Sequence, residues 1–316
     1  VINYPVAQSQ LAQWIGDLID QPAERIVVGN GAAELIKIVS GNVAKKLIVP
    51  VPSFNEYANA APEGQVVEFA LDAQSFELDV DKFAEQAIRS QADVAVVVSP
   101  NNPTSLLVPK ADLIRLVTKL AEHGCMLIVD ESFIDFANNR DQETLERDIA
   151  RYPNLAIFKS MSKAYGICGL RIGYMLTANM NFAEEVRSGI HIWNLNGFAE
   201  TFLKMAPTYK QEFETSCALV RKERDDFYQD LCSIEGMIVY KPEANYLFCR
   251  LPEDSPTGPE VAESLFIDHN IYIKHCQGKT MPESDRYVRI ASRTPVENAT
   301  IVSALKTIVR SKTAIR

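Results

Sequence analysis

A lysine set among hydroxyls, glycines and an arginine marks where side-chain chemistry concentrates in this 316-residue sequence. The segment FKSMSKAYGICGLRIGY, residues 158–174, carries Ser160, Ser162, Lys163 and Arg171 with Gly166, Gly169 and Gly173. A free lysine amine, of pKa about 10.4, is a poor nucleophile at neutral pH. As a Schiff base the same amine holds an aldehyde and can later move protons. The neighbouring hydroxyls and guanidinium suit a phosphate dianion. Taken alone, the segment could also be a polar loop without chemistry.

Four further segments have the same double character. VVGNGAAELI, residues 27–36, ends a strand at Gly29 and opens a helix through Asn30-Gly31-Ala32-Ala33-Glu34. Small residues there let helix N-terminal N–H groups approach an anion; an ordinary strand–helix turn is the alternative. In SPNNPTS, residues 99–105, Asn102 could hydrogen-bond a phenolic oxygen or simply form a Pro-Asn turn. In IVDESFIDF, residues 128–136, Asp130 ends an apolar strand, where an unpaired carboxylate is costly. A protonated pyridine nitrogen would remove that cost and make the ring an electron sink, although Asp130 could instead cap a helix. In PSFNEY, residues 52–57, Phe54 or Tyr57 could stack on an aromatic ring or pack the core. Each segment is ambiguous. The order of the set, with each member just after a strand, carries the argument.

The elements that must position these residues are legible as alternating patterns. Apolar runs of strand length occupy Ile26–Val28, Leu47–Val49, Val94–Val98, Met126–Val129, Leu155–Phe158 and Ile172–Leu176, separated by helical patterns such as Ala32–Val43 and Lys110–His123. Such alternation predicts an α/β domain, a mostly parallel sheet sandwiched by helices, over residues 1–206. Ligands of such sheets bind beyond the carboxyl ends of the strands. A charged helical pattern then runs from Tyr209 to Leu231. It is followed by shorter strands (Ile238–Tyr240, Tyr246–Leu251, Ile271–Lys274, Tyr287–Ala291) and by helices near Pro259–His269 and Glu297–Val309. Residues 207–316 are expected to form a smaller α+β domain.

Composition narrows the function classes. With 47% hydrophobic and 23% charged residues, the chain can bury a core. A net charge of -9 with 32 Lys and Arg argues against a nucleic-acid surface. No apolar run approaches the roughly 20 residues needed to span a bilayer. The six cysteines show no CxxC pair, so they are read as idle thiols in a reducing cytoplasm, and no metal site is expected. The sequence opens at Val1 on what reads as mid-domain texture, so residues are expected in front of it.

With these motifs in view, the chain resembles the fold-type I pyridoxal-phosphate aminotransferases, in particular the branch of histidinol-phosphate aminotransferases and threonine-phosphate decarboxylases. The resemblance covers essentially the whole chain and implies pyridoxal 5'-phosphate as cofactor. It implies that Lys163 holds the cofactor aldehyde, Asp130 pairs with the pyridine nitrogen and Asn102 contacts the ring hydroxyl oxygen. Ala32 and Ala33, through their backbone, would hold the phosphate with Ser160, Ser162 and Arg171, while Phe54, or in second place Tyr57, stacks on the ring. Tyr4, in the opening NYP, resembles a tyrosine that reaches the neighbouring subunit's cofactor phosphate, which implies a homodimer. Arg289, in YVRIASR, stands where the family binds the substrate carboxylate or phosphate, and Lys274, in IYIKHC, where it often has arginine.

Three positions depart from the aminotransferase pattern. Phe133 stands where a tyrosine usually donates to the ring oxygen, Ser105 replaces a glycine, and Arg293 replaces another. Phe133, Arg293 and NGAAELI are similar to the decarboxylase branch, whereas SKAYG is of the aminotransferase kind. Together Arg289, Arg293 and Lys274 suggest a phosphorylated or phosphonylated amine. The expectation is an aminotransferase acting on such an amine and a 2-oxo acid, with a threonine-phosphate-type decarboxylase as alternative and a non-catalytic cofactor-sensing module behind both.

Overall fold

The computed structural model describes residues 4–310. Seven strands form the large sheet: β1 (Ile26–Asn30), β2 (Leu47–Val51), β3 (Val66–Ala70), β4 (Val94–Val98), β5 (Met126–Asp130), β6 (Leu155–Ser160) and β7 (Ile172–Thr177). Their order is β1-β7-β6-β5-β4-β2-β3. The β3-β2-β4-β5-β6 run is parallel, and β7 is antiparallel to both β6 and β1. Six strands therefore point one way, and β7 alone runs against them. The reversal has a positional consequence. Segments that follow β1, β2, β4, β5 and β6 and the segment that precedes β7 all gather at one edge, so Arg171 arrives beside Lys163 although β7 points away.

The strands form because their sequences suit burial on both faces. β4 reads Val-Ala-Val-Val-Val and all five residues are buried, the pattern of a central parallel strand covered by helices. Two apolar clusters cover the sheet. One includes Ile15, Leu116, Leu127 and Ile157; the other includes Leu35, Tyr57, Ile128 and Phe158. β3 is an additional edge strand that the apolar runs do not reveal, because only its Phe69 is buried. The helical pattern Ala32–Val43 becomes an α-helix at Ala32–Ile38 that widens into a π turn at Val39–Val43.

The second sheet holds β8 (Ile238–Val239), β9 (Tyr246–Arg250), β10 (Lys274–His275) and β11 (Tyr287–Ala291) in the order β10-β11-β9-β8. The strand expected at Ile271–Lys274 starts later, at Lys274, where pairing with β11 sets Lys274 opposite Arg289. A core of its own, from Phe227 to Val309, backs this sheet. The 23-residue helix Lys210–Cys232 links the two sheets. Arg224 on that helix is fully buried at the seam. Its Nη1 donates to the carbonyls of Phe136 (2.7 Å) and Ala244 (3.3 Å), one on each side. Among the described residues no helix is long and apolar enough to cross a membrane.

Candidate active site

At the gathered edge lies a cavity of about 540 Å³. Its wall takes Ala32, Ala33, Phe54, Asn102, Asp130, Phe133, Ser160, Lys163 and Arg171 from the large sheet's edge, and Lys274 and Arg289 from the small sheet. It also takes Ser132, Asn245, Tyr246 and Tyr272, which the motifs did not single out.

Two glycines build one end of this cavity by close approach. Gly31 has φ +72, and a Cβ on it would lie 2.3 Å from Arg171 Nη2. Its N–H donates to the Arg171 carbonyl at 2.9 Å, and Arg171 itself has φ +59. A Cβ on Gly173 would lie 2.3 Å from the backbone nitrogen of Ala32. The helix start is thus pressed against β7, with the guanidinium laid over Gly31. First-turn N–H groups such as those of Ala32 and Ala33 have no intrahelical acceptor, and here they border a cavity beside a guanidinium and the Ser160 hydroxyl. Arg171 Nη1 is also steadied by the Cys168 carbonyl (3.1 Å) and by Ser162 Oγ (3.4 Å). Ser162 is buried beneath the guanidinium rather than exposed in the cavity wall. Gly173→Ala is expected to push the helix start off β7 and raise the dissociation constant for a phosphate-bearing cofactor about tenfold or more, because an overpacked backbone contact must shift. Titration of the visible cofactor band measures this, and unchanged affinity would show that the close approach is immaterial.

Asp130 lies at the cavity floor, 3% exposed. Its Oδ1 accepts from the Ser132 N–H and its Oδ2 from the Tyr57 hydroxyl, both at 3.0 Å. Among the described residues no cation forms an ion pair with it. Burial, only partly offset by those hydrogen bonds and by the Lys163 charge, pushes its carboxyl above the usual range. A buried carboxylate that borders a cavity without an ion-pair partner suits a cationic group such as a protonated ring nitrogen.

Tyr57 is placed differently from the stacking role weighed for it. Its ring is fully buried in the core behind Asp130, and its hydroxyl pins that carboxylate. Phe54 is half-buried and borders the cavity. The period of a short helix explains the split: Glu56–Ala60 turns Tyr57 inward, while Phe54 precedes the helix and stays at the edge.

Lys163 extends into the cavity from the short helix Met161–Ala164 and makes no ion pair among the described residues. Lys159, four residues earlier near the end of β6, shows the contrast. It is buried, with Nζ 3.1 Å from Asp135 Oδ1 and 3.6 Å from Glu146 Oε1. Burial alone would lower its pKa, but those carboxylates outweigh burial and raise it. Lys159 is therefore locked as a cation, whereas Lys163 borders the cavity without a carboxylate partner. Behind it, Glu131 accepts from Thr144 Oγ1 (2.6 Å) and from the Leu145 N–H (2.9 Å). Burial, together with repulsion from Glu146, pushes its carboxyl up to about 7.

On the small-sheet side Arg289 Nη1 donates to Asn102 Oδ1 at 2.6 Å, leaving the Asn102 amide N–H groups for another acceptor. The guanidinium sits 4.9 Å from the Tyr246 ring centre, a cation–π arrangement. The Tyr246 hydroxyl donates to the Asn101 carbonyl at 2.9 Å, and Phe133 meets the Tyr246 ring edge-on at 5.0 Å. No hydroxyl stands at position 133. Ser105 adopts φ +62, the left-handed region that favours glycine. Its hydroxyl accepts from the Ala244 N–H (2.9 Å) and its carbonyl from the Glu243 N–H (2.9 Å), which ties the Asn102 loop to the segment bearing Asn245 and Tyr246.

Two expected residues lie apart from the cavity. Arg293 is outside it: its guanidinium is 66% exposed and paired with Glu297 at 3.2 Å, because the helix Pro295–Arg310 offers that carboxylate one turn on. Tyr4 is 76% exposed and stacks on Trp193 at 4.2 Å rather than bordering this chain's own cavity.

The family model described as aminotransferase class I and II matches residues 2–305. CMP-5'-(3-aminopropyl)phosphonate synthase of Streptomyces rubellomurinus (strain ATCC 31215) is 39% identical over 97% of this chain; the chain spans 48% of that protein, about half its length. L-serine phosphate decarboxylase of Sulfurospirillum multivorans (strain DM 12446 / JCM 15788 / NBRC 109480) is 31% identical, with 98% of this chain and 80% of that protein aligned. The crystal structure of the histidinol-phosphate aminotransferase from Clostridium acetobutylicum superposes with a TM-score of 0.89 at 28% identity, over 98% of this chain and 91% of that one.

Proposed function

Because the chain belongs to the class I and II aminotransferase family, whose members work through pyridoxal 5'-phosphate, we propose that it decarboxylates a small amino acid carrying a phosphate or phosphonate group. The observation that carries this reading is the charge set of the cavity wall. Lys163, Arg171, Lys274 and Arg289 face it, against the one carboxylate of Asp130. With Lys163 and Arg171 engaged by the cofactor, Lys274 and Arg289 remain, and they are opposite each other in the β10–β11 register. Two cations on one rim suit a substrate with two anionic ends.

When bound, pyridoxal phosphate supplies an aldehyde that takes up amines and a ring that accepts an electron pair from the substrate's α-carbon. The chain's own groups do the rest. Ala32, Ala33, Ser160 and Arg171 grip the phosphate, with Ser162 beneath the guanidinium. Asp130, steadied by Tyr57 and Ser132, holds a proton on the ring nitrogen. Phe54 lies at the edge of the ring position, and the Asn102 amide donates to the ring oxygen. Arg289, oriented by Asn102, and Lys274 fix which substrate bond stands across the ring. Lys163 would hold the aldehyde until an incoming substrate ammonium displaces it and passes it a proton, and it would deliver that proton to the α-carbon in place of the carboxylate lost as carbon dioxide.

Two features turn the preference from transamination, which the motifs alone favour, toward decarboxylation. Phe133 offers no hydroxyl to the ring oxygen, and a relative at 31% identity is named for decarboxylating a phosphorylated amino acid. The aminopropylphosphonate unit in the name of the 39% relative is the skeleton left when 2-amino-4-phosphonobutanoate loses carbon dioxide. Transamination of the same substrates with a 2-oxo acid is the second reading, favoured by the close superposition on a histidinol-phosphate aminotransferase. The proposal includes a homodimer in which the exposed Tyr4–Trp193 stack meets the neighbouring subunit, and a reducing cytoplasm in which the cysteines stay free.

The test is to mix the cofactor-loaded protein with serine phosphate, threonine phosphate or 2-amino-4-phosphonobutanoate, without any keto acid. Carbon dioxide released over many turnovers while the visible band persists is the expected result. Stoichiometric bleaching of that band, reversed by 2-oxoglutarate or pyruvate, would make the enzyme an aminotransferase.

A further inference from the structure

Lys279 lies in the loop after β10, on the small-sheet side. Its Nζ donates to the Ser53 carbonyl at 2.7 Å and to Asn55 Oδ1 at 2.6 Å. Ser53 and Asn55 are the two chain neighbours of Phe54, and they lie more than 220 residues away in sequence. One ammonium from the small-sheet side therefore holds both chain neighbours of Phe54, the residue that borders the cavity. The loop that carries Lys279 is itself anchored. The Cys276 side chain is buried with Phe76, Phe248 and Tyr287, the Cys276 N–H donates to the Tyr287 carbonyl at 2.9 Å, and the Lys279 N–H donates back to the Cys276 carbonyl at 3.0 Å.

The arrangement is costly. Burial first, then the like charges of Arg289 and Lys274, pull the Lys279 pKa down to about 8, against the opposing influence of Cys276 and Glu56. A surface lysine with no task would point to water. Here the amine is kept half-buried among cations for the sake of two short hydrogen bonds, and both end on the segment that carries Phe54.

We propose that Lys279 is a positioning residue: a latch by which the small-sheet side fixes the Phe54 loop, and so the ring-facing wall of the cofactor site. The inference rests on the reading that Phe54 faces the cofactor ring. It makes cofactor seating depend on both halves of the chain and not on the large sheet alone.

The experiment titrates cofactor-free protein with pyridoxal phosphate, following the visible band and its induced circular dichroism, for Phe54→Ala, Lys279→Met, Lys279→Arg and the double variant Phe54→Ala/Lys279→Met. Lys279→Met is expected to weaken the cofactor about tenfold and shrink the dichroism, the loss expected when charge-assisted hydrogen bonds no longer order a loop. Lys279→Arg restores most of both. In the Phe54→Ala background, Lys279→Met adds nothing, because coupled residues do not add. Additive losses, or a lowered melting temperature with affinity and dichroism unchanged, would overturn the latch. If Phe54→Ala leaves both readouts unchanged, the reading of Phe54 falls and takes the latch with it. If Phe54→Ala weakens the cofactor and Lys279→Met does not, the latch alone fails. Should Lys279→Met not fold, Asn55→Ala removes one of the two bonds and undergoes the same comparison.

Discussion

Lys163→Ala leaves a protein that folds and binds pyridoxal phosphate without the visible band of a covalently held cofactor, and turnover falls by at least about a thousandfold, the scale of losing a covalent catalyst. The size follows from the site. Lys163 is the one cavity amine on the large-sheet side, because Lys159 is held as a cation by Asp135 and Glu146 on the far side of the strand. No second amine there can take up the aldehyde. Stability changes little, by within about 0.5 kcal/mol, because an exposed side chain without an ion pair contributes little to folding. Absorbance and thermal melting test both halves. A retained visible band would remove Lys163 from its assigned position.

Asp130→Asn is the second large effect, and it separates function from stability. The amide cannot hold a proton on the ring nitrogen, so turnover is expected to drop about a thousandfold, on the order of losing the electrostatic term that stabilises developing charge. The cofactor-free protein responds the other way. Burial raises the Asp130 carboxyl pKa in the folded state. A raised carboxyl pKa contributes stability below the unfolded pKa and loses it as pH rises through the folded value. At neutral pH the cofactor-free parent carries that penalty, and Asp130→Asn does not. The variant is therefore expected to unfold at equal or higher denaturant than the parent at pH 8, with a smaller difference near pH 5.5. Glu131 titrates in the same direction in both proteins, so the difference between them isolates Asp130. A variant less stable than its parent at pH 8 would mean that the carboxylate is already paired within the protein.

Much of this was legible before any coordinates. Continuous apolar strands announced a parallel sheet, and placing Asp130, Asn102 and Lys163 just after them was enough to bring them to one edge. The reversal of β7 was not legible, because an apolar run has no direction; Arg171 nonetheless reaches the same cavity as Lys163, because it precedes that reversed strand. The register of β10 was missed because Ile271 and Ile273 look like strand residues, although pairing with β11 begins only at Lys274. Tyr57 and Phe54 could not be told apart without knowing which way a single helical turn faces. Arg293 misled for a related reason: its partner Glu297 lies one turn along the following helix, and a local ion pair satisfies a guanidinium as well as a ligand does. The contributions of Asn245, Tyr246 and Lys279 come from pairings across the seam between the two sheets. Contacts between residues so far apart leave no local pattern to read.

Arg224 at that seam has a consequence for traffic. Its guanidinium is sealed from water, paired with Asp225 on its own helix and bonded to carbonyls on both sides, so prising the two halves apart would break those carbonyl bonds and leave their buried oxygens without a donor. A wide hinge swing is therefore an expensive way to admit substrate. Entry and exit are left to the mouth of the cavity, where Tyr272 stands 76% exposed and Lys274 faces solvent. Exchange of small molecules then becomes a matter of side chains swinging at a doorway, a motion of nanoseconds rather than milliseconds.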